Sequence, residues 1–475
     1  MKRGDIIEVE ITDYAFGGKG IAKQQTEQGQ YVIFVENTYP GQVVEARIAK
    51  KRKKHAECKL LRVIKDSPIA VDLGYQPISG APYIKLPVDV QHKLKQESTL
   101  QQYKRIGDIQ DVEDKFESYI ASPADFNYRN KMEYSFSSIR QDLESGEEVD
   151  DAFALGFKTR GTWWKVENLD KESGLFDKDF ENKLHEIREF LATTNLPAWH
   201  PPQKKGFFRH LVVRKSFDQD QLLINLVTSS QGLKKFDRKA FADFMQNLLG
   251  KRLAGLQHTI NDDVSDRAKI ENGNNELLFG ETVVLEKLLG LNFEISMESF
   301  FQTNPKSAER LYAKAIEYAQ ENFDLSNQYL MDLFCGTGTI GQIMASKIEG
   351  VKVVGVDIVP EAIEDAKRNA KRNKIGNLDF YAADVGKFLN EYPNFTGKIH
   401  TIILDPPRAG IAPKTLKKVM AIGAKQIVYI SCNPATQARD AKEMDMEGYK
   451  LKKLSLVDQF PHTSHIEAVA LFIKE

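Results

Sequence analysis

The side chains best suited to chemistry cluster in four short stretches: DLFCGTGTIG (332–341), LDPPRAG (404–410), SCNPATQARD (431–440) and HTSHIEAVALF (462–472). Cys432 follows QIVYI (426–430), a run apolar enough for a buried strand. Its thiol therefore falls where open α/β sheets place reactive groups, just beyond a strand's carboxyl end. A thiolate is a strong nucleophile, but a free thiol with a pKa near 8.5 is only a few per cent ionised at neutral pH. The site is expected either to favour the Cys432 thiolate or to deprotonate the thiol when substrate binds. Glu467 opens a stretch otherwise apolar enough to be buried, with His462 and His465 just before it. A buried carboxylate is unfavourable unless it is paired or functional. Alone, Glu467 reads as a satisfied structural residue; beside a reactive thiol it reads as a base. Gly336 and Gly338 form a turn that lets backbone approach a ligand closely. Asp357, 19 residues after Gly338, ends the next strand. A carboxylate there can hold both hydroxyls of a ribose. The order GTGTIG also fits G-x-G-x-x-G, so a nicotinamide dinucleotide competes on these features.

These groups need a scaffold, and the strand–helix rhythm from about residue 290 supplies one. YLMDLF (329–334), VKVVGVDI (351–358), LDFYAAD (378–384), HTIILD (400–405) and QIVYI alternate with helical stretches. That rhythm predicts a parallel sheet covered on both faces. YKLKKLSLVDQF (449–460) and HIEAVALFI (465–473) have no helix between them and predict an antiparallel hairpin on one edge. Residues 1–64 predict a small OB-like barrel of five short strands, from period-two runs such as IIEVEI (6–11), QYVIFVE (30–36) and QVVEARI (42–48). Residues 65–288 read as a mixed α/β domain. It includes a polar helix with an apolar stripe over 90–106, strands such as HLVVR (210–214), and a helix over 236–250 that ends at Gly250. Residues 289–475 form the third domain.

The chain has 475 residues and a net charge of −1, but residues 1–65 carry 13 Lys and Arg against 8 Asp and Glu. A basic module on a near-neutral body suits a polyanionic partner. The run KKRKK (50–54) and the basic–aromatic mixtures YRNKMEYSF (128–136) and GFFRHLVVR (206–214) suit nucleic acid, although solvated turns and half-buried strands produce the same patterns. Three scattered cysteines, Cys58, Cys335 and Cys432, make neither a disulfide framework nor a zinc spacing. No metal ligands, no membrane segment and a reducing, cytoplasmic setting are expected. Nothing in the sequence demands more than a monomer.

The Asp-x-Phe-x-Gly opening of DLFCGTGTIG resembles the S-adenosylmethionine site of class I methyltransferases. That resemblance implies a methionine-side acid at the loop, a ribose acid at Asp357 and an adenine-side acid at Asp384. It also sets LDPPRAG beside the target base. A cysteine then indicates carbon rather than amine methylation. A thiolate adding at carbon 6 of a pyrimidine makes carbon 5 nucleophilic, and a base must later remove the carbon 5 proton. Together with SFFQTNP (299–305), YISCNPATQARD (429–440) and FPHTSHIEAVA (460–470), these motifs resemble the RNA uracil-5-methyltransferase family. The resemblance implies a Rossmann-like methyltransferase domain using S-adenosyl-L-methionine, with Cys432 as nucleophile and Glu467 as base. It implies that Gln302, Phe334, Gly336, Gly338, Thr339, Asp357, Asp384 and Asp405 line the cofactor and base pocket. Thr339 departs from the frequent asparagine. DYAFGGKGIAK (13–23) resembles a TRAM domain, which implies RNA binding.

Many relatives carry an iron–sulfur cluster on C-G-G-C, where this chain reads Ile78-Ser79-Gly80-Ala81. With Cys58 the only cysteine before Cys335, four thiolates cannot be assembled, so no cluster is expected. Packing by Ile78, Tyr83 and Ile84 is expected in its place. The partner is expected to be structured RNA, ribosomal rather than transfer RNA because TRAM-like barrels are often missing from transfer-RNA members. Cytosine-5 methylation and a non-catalytic RNA-binding or RNA-folding role are the alternatives. No Pro-Cys dipeptide supports the first of these, and retention of Cys432, Glu467 and the Gly-rich loop opposes the second.

Overall fold

Alternating burial builds the N-terminal sheet. In the strand Gly29–Glu36, Tyr31, Ile33 and Val35 point inward and meet Val44, Ala46 and Ile48 from Val43–Lys51 and Ala56, Cys58 and Leu60 from His55–Lys65. With Ile6–Glu10, Asp13–Ala15 and Lys19–Thr26 these make six strands, in spatial order first, fifth, sixth, fourth, third, second. Five strands were expected. The extra one arises because DYAFGGKGIAK is a hairpin, with Tyr14 opposite Gly20. Gly20 is required there, since a Cβ would stand 2.2 Å from Thr38 Oγ1 and 2.6 Å from an Ile11 methyl. The KKRKK run makes the turn into the last strand, with the Arg52 amide donating to the His55 carbonyl at 2.8 Å.

The computed structural model describes residues 2–26, 29–142, 147–159, 161–263, 274–321 and 328–475. Two compact units emerge, each from separated segments. The first comprises Met1–Pro87, Ala124–Lys287 and Glu294–Thr303; the second comprises Val88–Pro123, Leu288–Phe293 and Asn304–Glu475. This division cuts the chain differently from the expected boundaries at 64 and 288. Val88–Pro123 belongs with the C-terminal unit because its strand Phe116–Ile120 pairs parallel with Tyr449–Val457.

Besides the barrel-type sheet, the first unit holds a nine-stranded sheet whose inner strands are Lys131–Ser137, Phe208–Ser216, Gln221–Thr228 and Leu253–Ile260. One face carries Tyr134, Phe136, Leu211, Val213, Ile224, Leu226 and Leu256 into an apolar core. The helix Arg238–Leu249 adds Phe241, Met245 and Leu249 to it, four residues apart along one face. Asp237 caps that helix, its carboxylate accepting from the Ala240 amide at 2.9 Å, and Gly250 at φ 54° ends it. Ile78, Ala81 and Ile84 join the same core, and Tyr83 is buried against Tyr14 and Tyr39. Among the described residues no three His, Cys, Asp or Glu side chains converge as a metal site.

The second unit is an open sheet of eight strands. Its spatial order is Leu378–Ala382, Lys352–Asp357, Tyr329–Leu333, Ile399–Leu404, Gln426–Ser431, Glu467–Lys474, Tyr449–Val457 and Phe116–Ile120. The first five run parallel, and Glu467–Lys474 runs antiparallel to its neighbours on both sides. The expected hairpin is present, but Phe116–Ile120 covers the edge it was expected to occupy. Four flanking helices, Pro305–Gln320, Pro360–Arg372, Pro413–Ala421 and Pro434–Met446, begin with proline. There its missing N–H loses no helical bond. The helix Val88–Arg105 differs from expectation: its buried face is Gln91, Lys95, Ser98, Thr99, Leu100 and Tyr103, mostly polar rather than apolar. No described helix is long and apolar enough to cross a membrane.

Candidate active site

Strand register gathers the chemistry-bearing residues at one edge. Leu333 pairs with Val356 on one side and Leu404 on the other; Leu404 pairs with Tyr429, and Asp357 with Ala382. The carboxyl ends of all five parallel strands therefore align. Ser431 pairs with Ala468 across the antiparallel junction, so Cys432 and Glu467 leave adjacent strands at that same edge. Asp405 directly follows Leu404 there. The sheet reverses its winding direction on either side of Tyr329–Leu333, the position where open sheets hold ligands.

The Gly-rich turn is shaped as a cradle. Phe334 sits at φ 63°, a left-handed conformation that is unfavourable for an aromatic residue and concentrated at functional turns. A Cβ at Gly336 would meet nothing within 4 Å, which leaves open space over the backbone. At Gly338 (φ 72°), in contrast, a Cβ would collide with Phe380 at 2.3 Å. Thr339 opens the helix Thr339–Lys347, its hydroxyl 3.5 Å from that of Thr337. The Asp357 carboxylate accepts from the Gly336 and Val359 amides, both at 2.9 Å, which fixes it while leaving lone pairs for further donors. Beside it Ile358 is 66% exposed, an apolar surface suited to a planar ring. Asp384 stands exposed after Leu378–Ala382, its carbonyl accepting from the Lys387 amide at 2.8 Å. Asp332 is fully buried; one carboxylate oxygen accepts from the Gly341 amide at 2.8 Å, and the other has no partner among the described residues. Burial pushes its carboxyl up to about 8, with Asp405 and Asp357 adding to the shift. An orphaned acid, a braced carboxylate and an open glycine surface fit a ligand that combines positive charge with a ribose.

The reactive groups are held in their neutral forms. Burial raises the Cys432 thiol to about 11, with Glu467 and Asp405 adding to the shift and Arg408 opposing it. Desolvation and two acids outweigh one cation, which disfavours a resting thiolate in the free site. Deprotonation on substrate binding is left. Glu467 is 3% exposed, and burial, then Asp405, lift its carboxyl to about 8 against Arg408. Desolvation alone raises Asp405 to about 7. Arg408 itself is held from two sides. Its Nη2 donates to His465 Nδ1 at 2.7 Å, and its carbonyl accepts from Asn433 Nδ2 at 3.0 Å. Cys335 packs beside the cluster of Ile363, Ala366, Ala370 and Phe380, and burial pushes its thiol far up.

A buried polar network fixes the segment that leads into Glu467. Lys95 donates to Asp458 at 2.8 Å and to the Phe460 carbonyl at 3.1 Å, and His92 lies 3.4 Å from the same carboxylate. Gln91 clasps His462, accepting from its amide at 2.8 Å with a side-chain contact of 3.1 Å to Nδ1. His462 thus serves the backbone, held at φ 64°.

Gln302 lies in the first unit. There the central sheet grips its segment: Asn130 Nδ2 donates to the Gln302 carbonyl at 3.0 Å, and buried Arg214 donates to Ser299 at 2.7 Å. Arg408 and Ile358 were absent from the expected site residues. The available signals were the cation after Asp-Pro-Pro and an apolar residue between a strand-end acid and an N1 proline.

Residues 1–61 match the TRAM domain, and residues 275–475 match the tRNA (Uracil-5-)-methyltransferase family. A protein of Clostridium tetani described as an uncharacterized RNA methyltransferase is 35% identical, over 99% of this chain and 98% of its own. One from Caldanaerobacter subterraneus subsp. tengcongensis, with the same description, is 36% identical over the full length of both. Among solved structures, the Pyrococcus abyssi tRNA (uracil-54, C5)-methyltransferase in complex with S-adenosyl-L-homocysteine superposes with a TM-score of 0.69 at 25% identity, covering 98% of this chain and 100% of that one. With the cradle and the Cys432–Glu467 edge on a class I methyltransferase fold, and relatives matching end to end, the chain belongs to the RNA (uracil-5-)-methyltransferase family.

Proposed function

We propose that the protein methylates carbon 5 of a uridine in structured RNA through a transient bond between Cys432 and carbon 6 of the base. The observation that carries this reading is the register that brings Cys432 and Glu467 to the end of adjacent strands, beside Asp405 and the Gly-rich cradle. S-adenosyl-L-methionine, when bound, supplies an electrophilic methyl group on a positively charged sulfonium. Phe334, Gly336, Gly338 and Thr339 form its cradle, Asp357 accepts from the ribose hydroxyls, and Asp384 and Ile358 flank the adenine. Gln302 joins this set on the family pattern. Asp332, Asp405 and Glu467, whose carboxyls burial raises, are groups whose ionised forms a nearby positive charge favours.

Cys432 gives up its proton to solvent and its sulfur adds to carbon 6, moving the ring electrons toward oxygen 4 and carbon 5. Arg408, which favours both the thiolate and the Glu467 carboxylate, supports this step. Carbon 5 takes the methyl group. Glu467 removes the proton left on carbon 5, the double bond reforms and the sulfur departs. One proton is released per methyl transferred.

The N-terminal barrel and the central domain hold the RNA, making binding salt-sensitive. The target base is flipped from a loop, where unstacking is cheapest. We assign the protein to the cytoplasm as a monomer, with ribosomal RNA as target. Transfer RNA is the second reading, favoured by the Pyrococcus enzyme, which matches this chain over its whole length, barrel region included. Nucleoside mass spectrometry of ribosomal and transfer RNA from cells with and without the gene tests both. Loss of 5-methyluridine from ribosomal RNA alone is expected, and loss from transfer RNA alone selects the second reading. If neither RNA loses 5-methyluridine, the proposal fails.

A further inference from the structure

Where the barrel-type sheet borders the central sheet, within the first unit, a surface cleft of about 250 Å³ is lined by Glu36, Asn37, Lys59, Leu60, Thr162 and Trp163. Trp163 is 55% exposed, an unusual position for the largest apolar side chain. It is not a loosely hanging ring. Trp164 meets it edge-to-face at 5.7 Å and is tethered in turn, its Nε1 donating to Glu148 at 3.4 Å. Thr162 is tied to the Thr159 carbonyl through both its amide and its hydroxyl, each at 3.1 Å. A Cβ at Gly161 would stand 3.8 Å from the Leu60 carbonyl, so this loop lies along the barrel strand.

On the barrel side Lys59 and Glu36 line the cleft, and a second cation stands beside it. Lys59 stands directly opposite Arg47 on adjacent antiparallel strands; both are exposed, and neither has a carboxylate partner among the described residues. Like charges placed this way repel. A bound anion turns that repulsion into attraction. An immobilised aromatic ring beside a cationic pair is the arrangement that holds single-stranded nucleic acid: the ring stacks a base, and the cations take the flanking phosphates. Glu36 and Asn37 on the rim offer acceptors and donors to a base edge.

We propose that Trp163 is a stacking platform for an unpaired base of the RNA substrate, outside the methylated uridine's pocket, with Lys59 and Arg47 contacting the adjoining backbone. This rests on the RNA-methylating reading and names a second contact region for that substrate. A double-stranded segment cannot use it, because its bases are already stacked. The occupant is therefore a loop or single-stranded tail.

The test uses the full-length protein and a short single-stranded oligoribonucleotide, alongside the RNA that loses 5-methyluridine in the gene-deleted cells. Trp163→Ala is expected to weaken binding roughly ten- to a hundredfold with an unchanged salt slope. Trp163→Phe is expected to retain most of the affinity but lose the larger part of the quenching of tryptophan emission that RNA produces in the wild type, Trp164 and Trp199 remaining. Lys59→Ala and Arg47→Ala are each expected to lower the salt slope by about one. Equal affinity of Trp163→Ala and wild type, or quenching as deep in Trp163→Phe as in the wild type, overturns the proposal. Methylation of uridine by the wild type in the same preparations keeps the functional reading standing in that case. A wild type that neither binds nor methylates RNA removes both.

Discussion

Asp458 and Glu467 are two buried carboxylates at opposite ends of one short connection, and their surroundings drive them apart. Burial opposes ionisation of both. At Asp458, Lys95 and His92 more than offset it, and the carboxyl falls to about 2. At Glu467 a second acid, Asp405, sits nearby with Arg408 as partial compensation, and the carboxyl rises to about 8. The first carboxylate is satisfied and holds the loop in place. The second faces another acid, and its proton is held more tightly. Similar burial therefore marks structure in one case and chemistry in the other, and the partner set is what distinguishes them.

The sharpest way to probe the reactive side is Cys432→Ala. It is expected to lower turnover by about 10⁴-fold or more and to abolish the covalent RNA adduct seen in denaturing gels, with cofactor affinity nearly unchanged. Wild-type rates would end the assignment. Glu467→Gln is expected to slow turnover by roughly 10²–10⁴-fold while methylated RNA stays attached to Cys432; free release of product would contradict its role as base. On the structural side, Lys95→Met leaves buried Asp458 without its closest cation, with only His92 and the Tyr119 hydroxyl beside it, for an expected loss of about 3 kcal/mol in denaturant unfolding. Adding Asp458→Asn should recover much of it. Glu467→Gln, in contrast, should not destabilise the fold at pH 8.

Acidity separates the two carboxylates most gently. The depressed Asp458 contributes stability above the unfolded carboxyl range, near 4, and this is lost as pH falls toward about 2. The raised Glu467 works oppositely: stability declines as pH climbs from about 4 to about 8. The stability of Glu467→Gln relative to wild type should therefore improve across that interval. Catalysis should run the other way, with kcat/KM rising from pH 6 to 9 as Glu467 and the Cys432 thiol ionise. A flat pH profile would argue against both roles.

Much of the site was legible because its determinants are local. Gly336 and Gly338 in a strand-to-helix turn, Asp357 at a strand end before Pro360, and Cys432 after an apolar run each declare their position by neighbours in the chain. The helix Val88–Arg105 was misread as apolar-striped because its buried face consists of polar residues whose partners lie hundreds of residues away: Gln91 on His462, Lys95 on Asp458, and Tyr103 on Gln437. The barrel's extra strand was hidden in a glycine-rich hairpin, and the C-terminal edge was misjudged because Phe116–Ile120 carries no mark of its pairing. The state of the Cys432 thiol was open for a related reason. Its ionisation depends on burial and on three charged groups from other strands and loops.

The amino-acid order alone determined the alternation of strands and helices, the cradle's backbone freedom and the types of reactive group, since these follow from side-chain periodicity and from the conformations glycine and proline permit. Only the tertiary structure decided that Cys432 and Glu467 leave adjacent strands at one edge, that Arg408 tempers both, and that Asp458 is paired with cations while Glu467 faces another acid. Strand register and burial set those outcomes, and both depend on contacts between residues far apart in the chain.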